Sequence, residues 1–136
     1  ACVHPDYRSA NVNLMLWSAL ARYLVEHGYD YVLGTASISL ADGGHRAASL
    51  FRAISQHSMS PEDLRALPRR RLPLESLTHA IDARPQKSLR AHLDLGAWAC
   101  GEPGKDRHSM RADIPLLLPL ARMRDPFARR FLARAA

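Results

Sequence analysis

Residues 9–39, SANVNLMLWSALARYLVEHGYDYVLGTASIS, decide how this sequence folds. Val12, Leu16, Ala19, Leu20, Tyr23, Leu24 and His27 recur at spacings of three and four, the period of an amphipathic helix. Ser9 stands where an N-cap belongs and Gly28 where a C′ glycine belongs, which predicts a helix over about 10–27. The next stretch, 29–39, is β-branched, apolar and bounded by glycines, so a buried strand follows directly. Helix then strand, with no hairpin signal between them, points to a layered α/β or α+β fold.

Working outward, HPDYR at 4–8 reads as a turn, because Pro5 removes a donor and Asp6 favours local side-chain bonds. Downstream of LADGGH, residues 47–56 predict a second helix with Leu50, Phe51 and Ile54 on one face. SPED at 60–63 predicts a short third helix, capped by Ser60 with Pro61 at N1. Two prolines and three successive arginines break all periodicity over 67–75, an exposed connection with room for one short edge strand. A helix over 85–94, a strand over 96–101, a loop over 102–113, a strand over 114–120 and a helix over 125–132 complete the order. The expectation is a single α+β domain over 1–136, with a mixed central sheet flanked by helices. The opening ACV reads as the tail of a strand already in progress.

The chain has 136 residues, 47% hydrophobic and 24% charged, an ordinary globular composition with no apolar run near the ~20 residues of a membrane span. Two cysteines without a CxxC pair give no disulfide framework, so the cytoplasm is the expected compartment. Of 19 basic residues 17 are arginine, and the net charge is +6. The surplus is lopsided: residues 1–60 hold four bases and four acids, residues 61–136 fifteen bases and nine acids. A basic half implies an acidic partner, whether nucleic acid, anionic membrane or acidic protein.

Seven histidines form no HExxH and no other ligand spacing, so no metal site is expected. No G-x-S-x-G, Walker loop or G-x-G-x-x-G is present, and Cys100 falls in an apolar strand, where a thiol is inert. Arg69, Arg70 and Arg71 lack interleaved aromatics, and no nucleic-acid-binding signature accompanies them. One feature does suit an anion. Arg8, Ser9, Ala10 and Asn11 open the long helix, and free amides at a helix start beside an arginine suit a phosphate oxygen.

CVHPDYR followed by LMLWSALARYLVEHGYDYVLGTASISLADGG, with LRAHLDLGAWACGEPGKD, LLLPLARM and FARRFL later, resembles the ornithine–acyl carrier protein N-acyltransferases. These are hemolysin-like proteins of the GNAT superfamily, related to acyl-homoserine lactone synthases, and the likeness runs over about 1–132. Pro115, which is expected to interrupt the strand over 114–120, and the basic loop 104–111 depart from the family pattern. The resemblance implies that a front portion of the fold precedes CVHPDYR. It also implies a sheet splayed between a strand ending at Val3 and the strand 31–39, with the pantetheine arm of a thioester donor in the V. No cofactor is held permanently; an acyl-phosphopantetheine thioester enters as co-substrate. Its phosphate would meet Arg8, Ser9, Ala10 and Asn11.

The implied reaction moves a 3-hydroxyacyl chain from acyl carrier protein to the α-amine of ornithine, the first step to ornithine lipid. The acyl and acceptor pocket is expected at Leu33, Ile38, Ser39, Leu40 and Asp42, with Trp17 a further apolar candidate and His4 a candidate for proton relay. Acidic carrier protein would dock on Arg69, Arg70, Arg71, Arg84, Lys87 and Arg90, and the basic terminal helix would touch the inner membrane transiently. Three alternatives stay open: another amine acceptor, a fragment that only docks carrier protein or membrane, and a basic nucleic-acid-binding domain.

Overall fold

The computed structural model describes residues 3–78 and 83–124, which belong to two compact units, Ala1–Asp30 with Met123–Ala136, and Tyr31–Arg122. The first holds a 3₁₀ turn at Pro5–Tyr7 and helix α1, Ala10–Glu26. Ser9 caps α1 as expected, its hydroxyl accepting from the Val12 amide at 3.3 Å. The expected strand end at Val3 is not strand, and residues 1–2 lie outside the described residues, as does the helix expected at 125–132.

The second unit contains β1 (Tyr31–Ser39), α2 (His45–Ser55), α3 (Lys87–Leu95), β2 (Trp98–Ala99), β3 (Gly104–Lys105) and β4 (Arg111–Pro119). The α+β class is therefore correct. The sheet order is β1-β4-β2, with β3 also pairing β4, and every pairing among these strands is antiparallel. The mixed sheet expected from sequence is thus corrected; the one parallel pairing among the described residues is the isolated bridge Met59↔Ala99.

Strand periodicity sorts the side chains. Ala36 and Ile38 of β1 and Ala112, Ile114 and Leu116 of β4 point inward and are buried with Ala47, Leu50, Phe51 and Ile54 of α2 and Leu89 of α3. Burying such a side chain is worth about 1.5–3 kcal/mol, so this one cluster supplies most of the unit's cohesion. Gly44 enters α2 at φ +101°, and a β-carbon there would press to 3.2 Å on Leu72.

Three local readings change. SPED forms a 3₁₀ turn at Glu62–Leu64, and Ser60 is buried, donating to the Pro61 carbonyl (3.2 Å) rather than capping a helix. The 102–113 loop is the β3–β4 hairpin. Pro115 does not interrupt β4, because its carbonyl still accepts from the Cys100 amide at 2.9 Å. The Cys100 carbonyl, which a proline cannot serve, accepts instead from the Ala66 amide.

Candidate functional site

At the start of α1 the structure brings Arg8, Ser9, Ala10 and Asn11 together over the first helical turn. No acidic residue lies in that turn, so the positive end of the helix macrodipole meets no carboxylate of its own. Ser9 occupies the Val12 amide, and Arg8 donates through Nε to the Val3 carbonyl at 3.0 Å, fixing its stem beside the helix start. His4 is exposed and serves its own turn, accepting from the Asp6 amide at 3.4 Å. That is a capping role, and the Asp6 carboxylate also lies 3.6 Å from its Nδ1.

The five residues expected to line an acyl and acceptor pocket do not share a surface. Leu33 (71% exposed) and Ser39 point outward from the sheet, whereas Ile38 (2%) and Leu40 (8%) are in the core. The two groups lie at opposite parities along one strand, and the period of two separates them. This places Ile38 and Leu40 in packing and removes them from any pocket on the outward face. Asp42 is a cap: its oxygens accept from the Gly44 amide (3.0 Å) and the Arg46 amide (2.7 Å) at the start of α2. Partial burial pushes its carboxyl up, but those backbone donors and the nearby His45 outweigh it and hold its pKa below the usual value.

On the outward face Leu33 of β1 and Trp98 of β2 both stand opposite Leu117 of β4, an apolar row across three strands. The Arg122 guanidinium lies 4.5 Å over the Trp98 ring. Four pairs along β4 from Leu117, on the same face, Ser37 donates a short hydrogen bond to Asp113. Alternation within 31–39 and 111–119 was the signal available for Leu117 and Asp113; the register that joins them is a long-range fact.

The basic residues nominated for docking divide. Arg71 is paired with Glu102 through two hydrogen bonds, Nε to Oε2 at 2.7 Å and a terminal nitrogen to Oε1 at 3.2 Å, which raises its already high pKa. Arg90 lies 3.7 Å from Asp94, and Arg84 and Lys87 are exposed at the entry to α3. Arg69 and Arg70 instead line an open cavity of about 700 Å³ with Lys105, Arg107, His108, Asp106 and Asp113. Lys105, Arg107 and His108 were absent from the sequence-based set, because the bridge Arg71↔Gly104 that brings the two segments together leaves no trace in composition.

Among the described residues no group of three His, Cys, Asp or Glu side chains is arranged to hold a metal, and no helix is long and apolar enough to cross a membrane. Cys100 is buried, and burial pushes its thiol pKa up, away from nucleophilic chemistry.

Comparison with characterised proteins relates this chain to an acyltransferase. The relative is the L-ornithine N(alpha)-acyltransferase of Rhodobacter capsulatus, 34% identical over 128 residues, covering 87% of this chain and 48% of the relative. The chain therefore spans about half the length of that protein. No family model and no solved structure matches. The resemblance drawn from the CVHPDYR and LRAHLDLGAWACG blocks is borne out by this relationship.

Proposed function

We propose that the protein containing this chain is an N-acyltransferase that moves a 3-hydroxyacyl group from an acyl carrier protein thioester to the α-amine of ornithine. The observation that carries this is the 34% identity to an ornithine acyltransferase across 87% of the chain. The chemistry is direct transfer. The amine nitrogen attacks the thioester carbonyl, a C–N bond forms, the C–S bond breaks, and the carrier leaves as its thiol. The ammonium must first lose a proton, and the developing oxyanion must meet a hydrogen-bond donor. No covalent enzyme intermediate is needed, and the inert Cys100 suits that route.

The helix start at Arg8 to Asn11, with no acidic residue in its first turn, supports a role in holding the donor phosphate. The outward row of Leu33, Leu117 and Trp98 supports apolar contact with an acyl chain. Of the nominated carrier-protein surface, Arg84 and Lys87 at the entry to α3 are exposed and in no ion pair among the described residues, as are Arg69 and Arg70, which line the separate cavity. The superfamily assignment to GNAT and the position in lyso-ornithine lipid synthesis are part of the same proposal.

The deciding experiment measures free thiol released from 3-hydroxyacyl carrier protein with and without ornithine, on this chain and on its full reading frame. Ornithine-dependent release supports the reading. Absence of release from both with any amine overturns it. Because the chain spans 48% of the relative, a second reading is that it binds carrier protein without turnover. Release by the full frame alone, with carrier binding retained by the chain, is its signature.

A further inference from the structure

The basic cavity is not explained by acyl transfer. Its two walls are distant in sequence and held rigidly together. The arginine loop is tied at the Ala66 amide to the Cys100 carbonyl, at the Arg70 carbonyl by the Lys105 amide (2.8 Å), and at the Leu72 amide to the Pro103 carbonyl (3.0 Å). The opposite wall is the β3–β4 turn, which Asp106 organises by accepting from the His108 amide (3.2 Å) and the Ser109 hydroxyl. The turn closes through the Asp106 amide on the Arg111 carbonyl at 3.0 Å, and the Met110 carbonyl accepts from the Leu40 amide at 2.8 Å.

Between these walls stand Arg69, Arg70, Lys105 and Arg107, none in an ion pair among the described residues, together with His108. The two carboxylates present hydrogen-bond to neutral donors, Asp106 within its turn and Asp113 with Ser37, and remain formal negative charges, so four cations face two anions and the lining is net positive. A surplus of two fixed positive charges around one cavity attracts anions. The segments that form the cavity also carry exposed apolar side chains outside its lining: Leu67, 92% exposed, just before the arginines, and Met110, 69% exposed, at the end of the turn.

We propose that this end of the sheet unit docks on an anionic phospholipid surface, the cations meeting phosphate headgroups and Leu67 and Met110 entering the headgroup–acyl boundary. Long arginine and lysine stems lie along apolar surface while their heads reach phosphate. A bilayer offers phosphates to the cations and an apolar layer to the two exposed side chains on the same segments. The proposal stands on charge and exposure and does not depend on the acyl-transfer reading.

The test is co-sedimentation of the full chain with vesicles of phosphatidylcholine containing phosphatidylglycerol, beside vesicles of phosphatidylcholine alone, at low and high salt. The expected result is binding only to the anionic vesicles, weakened by salt. Arg70→Gln with Lys105→Gln should lower the partition coefficient about 25-fold, at about fivefold per charge, whereas Arg84→Gln with Lys87→Gln should change it little. Leu67→Ser with Met110→Ser, which leaves every charge in place, should also weaken binding. The proposal is overturned by failure to bind, by equal binding to neutral vesicles, or by equal loss in the Arg84 and Lys87 variant. It is also overturned if the Leu67 and Met110 variant binds normally while polyglutamate or duplex DNA competes as well as lipid does, which assigns the cavity to an acidic macromolecule. All variants sit on exposed side chains, and unchanged circular dichroism separates lost docking from lost folding.

Discussion

The amide of Cys100 donates to the carbonyl of Pro115 at 2.9 Å, and Pro115 has no N–H to give back. A ladder that ran on would leave the Cys100 carbonyl unsatisfied, at a cost of about 1–3 kcal/mol if buried. The carbonyl accepts instead from the Ala66 amide, and this draws the arginine loop against the edge of β2. One proline in the middle of β4 thus ends a strand and positions a basic loop far away in sequence.

This closeness makes Gly101 the most restrictive position in the sheet unit. A β-carbon there would lie 2.3 Å from the Ala66 carbonyl oxygen and 3.0 Å from Pro115. The obstacle is backbone, which cannot swing aside. Gly101→Ala should cost about 1–3 kcal/mol, lowering the thermal midpoint by about 5 °C or more, as measured by calorimetry. A midpoint unchanged within error would show that the Ala66 segment is not held where the hydrogen bond puts it.

The Arg71–Glu102 pair should behave differently. Both side chains reach solvent, and such pairs contribute little to stability. Arg71→Gln with Glu102→Gln removes both charges and leaves the net charge as it was. Thermal midpoint and anionic-vesicle binding should both stay near wild type, in contrast to the loss expected for Arg70→Gln with Lys105→Gln. Loss of vesicle binding in the double variant would place Arg71 among the docking groups despite its partner.

Local rules made the elements legible. Ser9, Gly28 and the 3–4 spacing fixed α1 to within a residue at each end, and β-branched content located β1, although the strand expected to be buried exposes Tyr31, Leu33, Thr35, Ser37 and Ser39 on its outward face. Strand alternation also separates Leu33 from Ile38, so the split of the expected pocket was readable from parity alone. Pairing was not readable. Whether β4 lies between β1 and β2, and whether Arg70 meets Lys105, depends on contacts between segments tens of residues apart. Those contacts leave no periodic mark on the sequence. Pro115 misled for the same reason: proline breaks a ladder on one side only, and the sequence does not say which side matters.

Asp42 separates structure from catalysis. Asp42→Ala removes the acceptor for two amides at the start of α2 and should cost about 1 kcal/mol, while Asp42→Asn should recover most of it. The carboxylate is favoured in the folded state, since its pKa is lowered. Its contribution is therefore complete above the ordinary carboxylate pKa and disappears as pH falls through the lower folded value, below about pH 4. Urea titrations at neutral and acidic pH should show the wild type and Asp42→Asn converging at the acid end. Wild-type acyl transfer by Asp42→Asn is expected; a large drop in kcat with stability intact would return Asp42 to the reaction.

Cys100 gives a probe of opening. Buried, and with its thiolate disfavoured by that burial, it should resist iodoacetamide at neutral pH in the folded chain. In a Cys2→Ser background, labelling should track urea unfolding and coincide with the loss of circular dichroism. Rapid labelling without denaturant would mean that the β2 edge, and with it the Ala66 contact, opens locally at little cost.

The helix start offers the sharpest test of donor binding, because its two side chains do different work. Ser9 serves the Val12 amide, so Ser9→Ala should lower stability by about 1 kcal/mol and affect donor binding only weakly. Arg8 is exposed and tethered through Nε to the Val3 carbonyl, which leaves the rest of its guanidinium to face an anion. Arg8→Ala should weaken binding of an acyl-phosphopantetheine about three- to fivefold and leave its dephosphorylated counterpart unaffected, the scale of an exposed charge pair. Isothermal titration of both ligands against wild type and Arg8→Ala makes the comparison. If the phosphate confers no advantage on the wild type, the anion held there is not the donor's, and the first turn of α1 is only a well-capped helix.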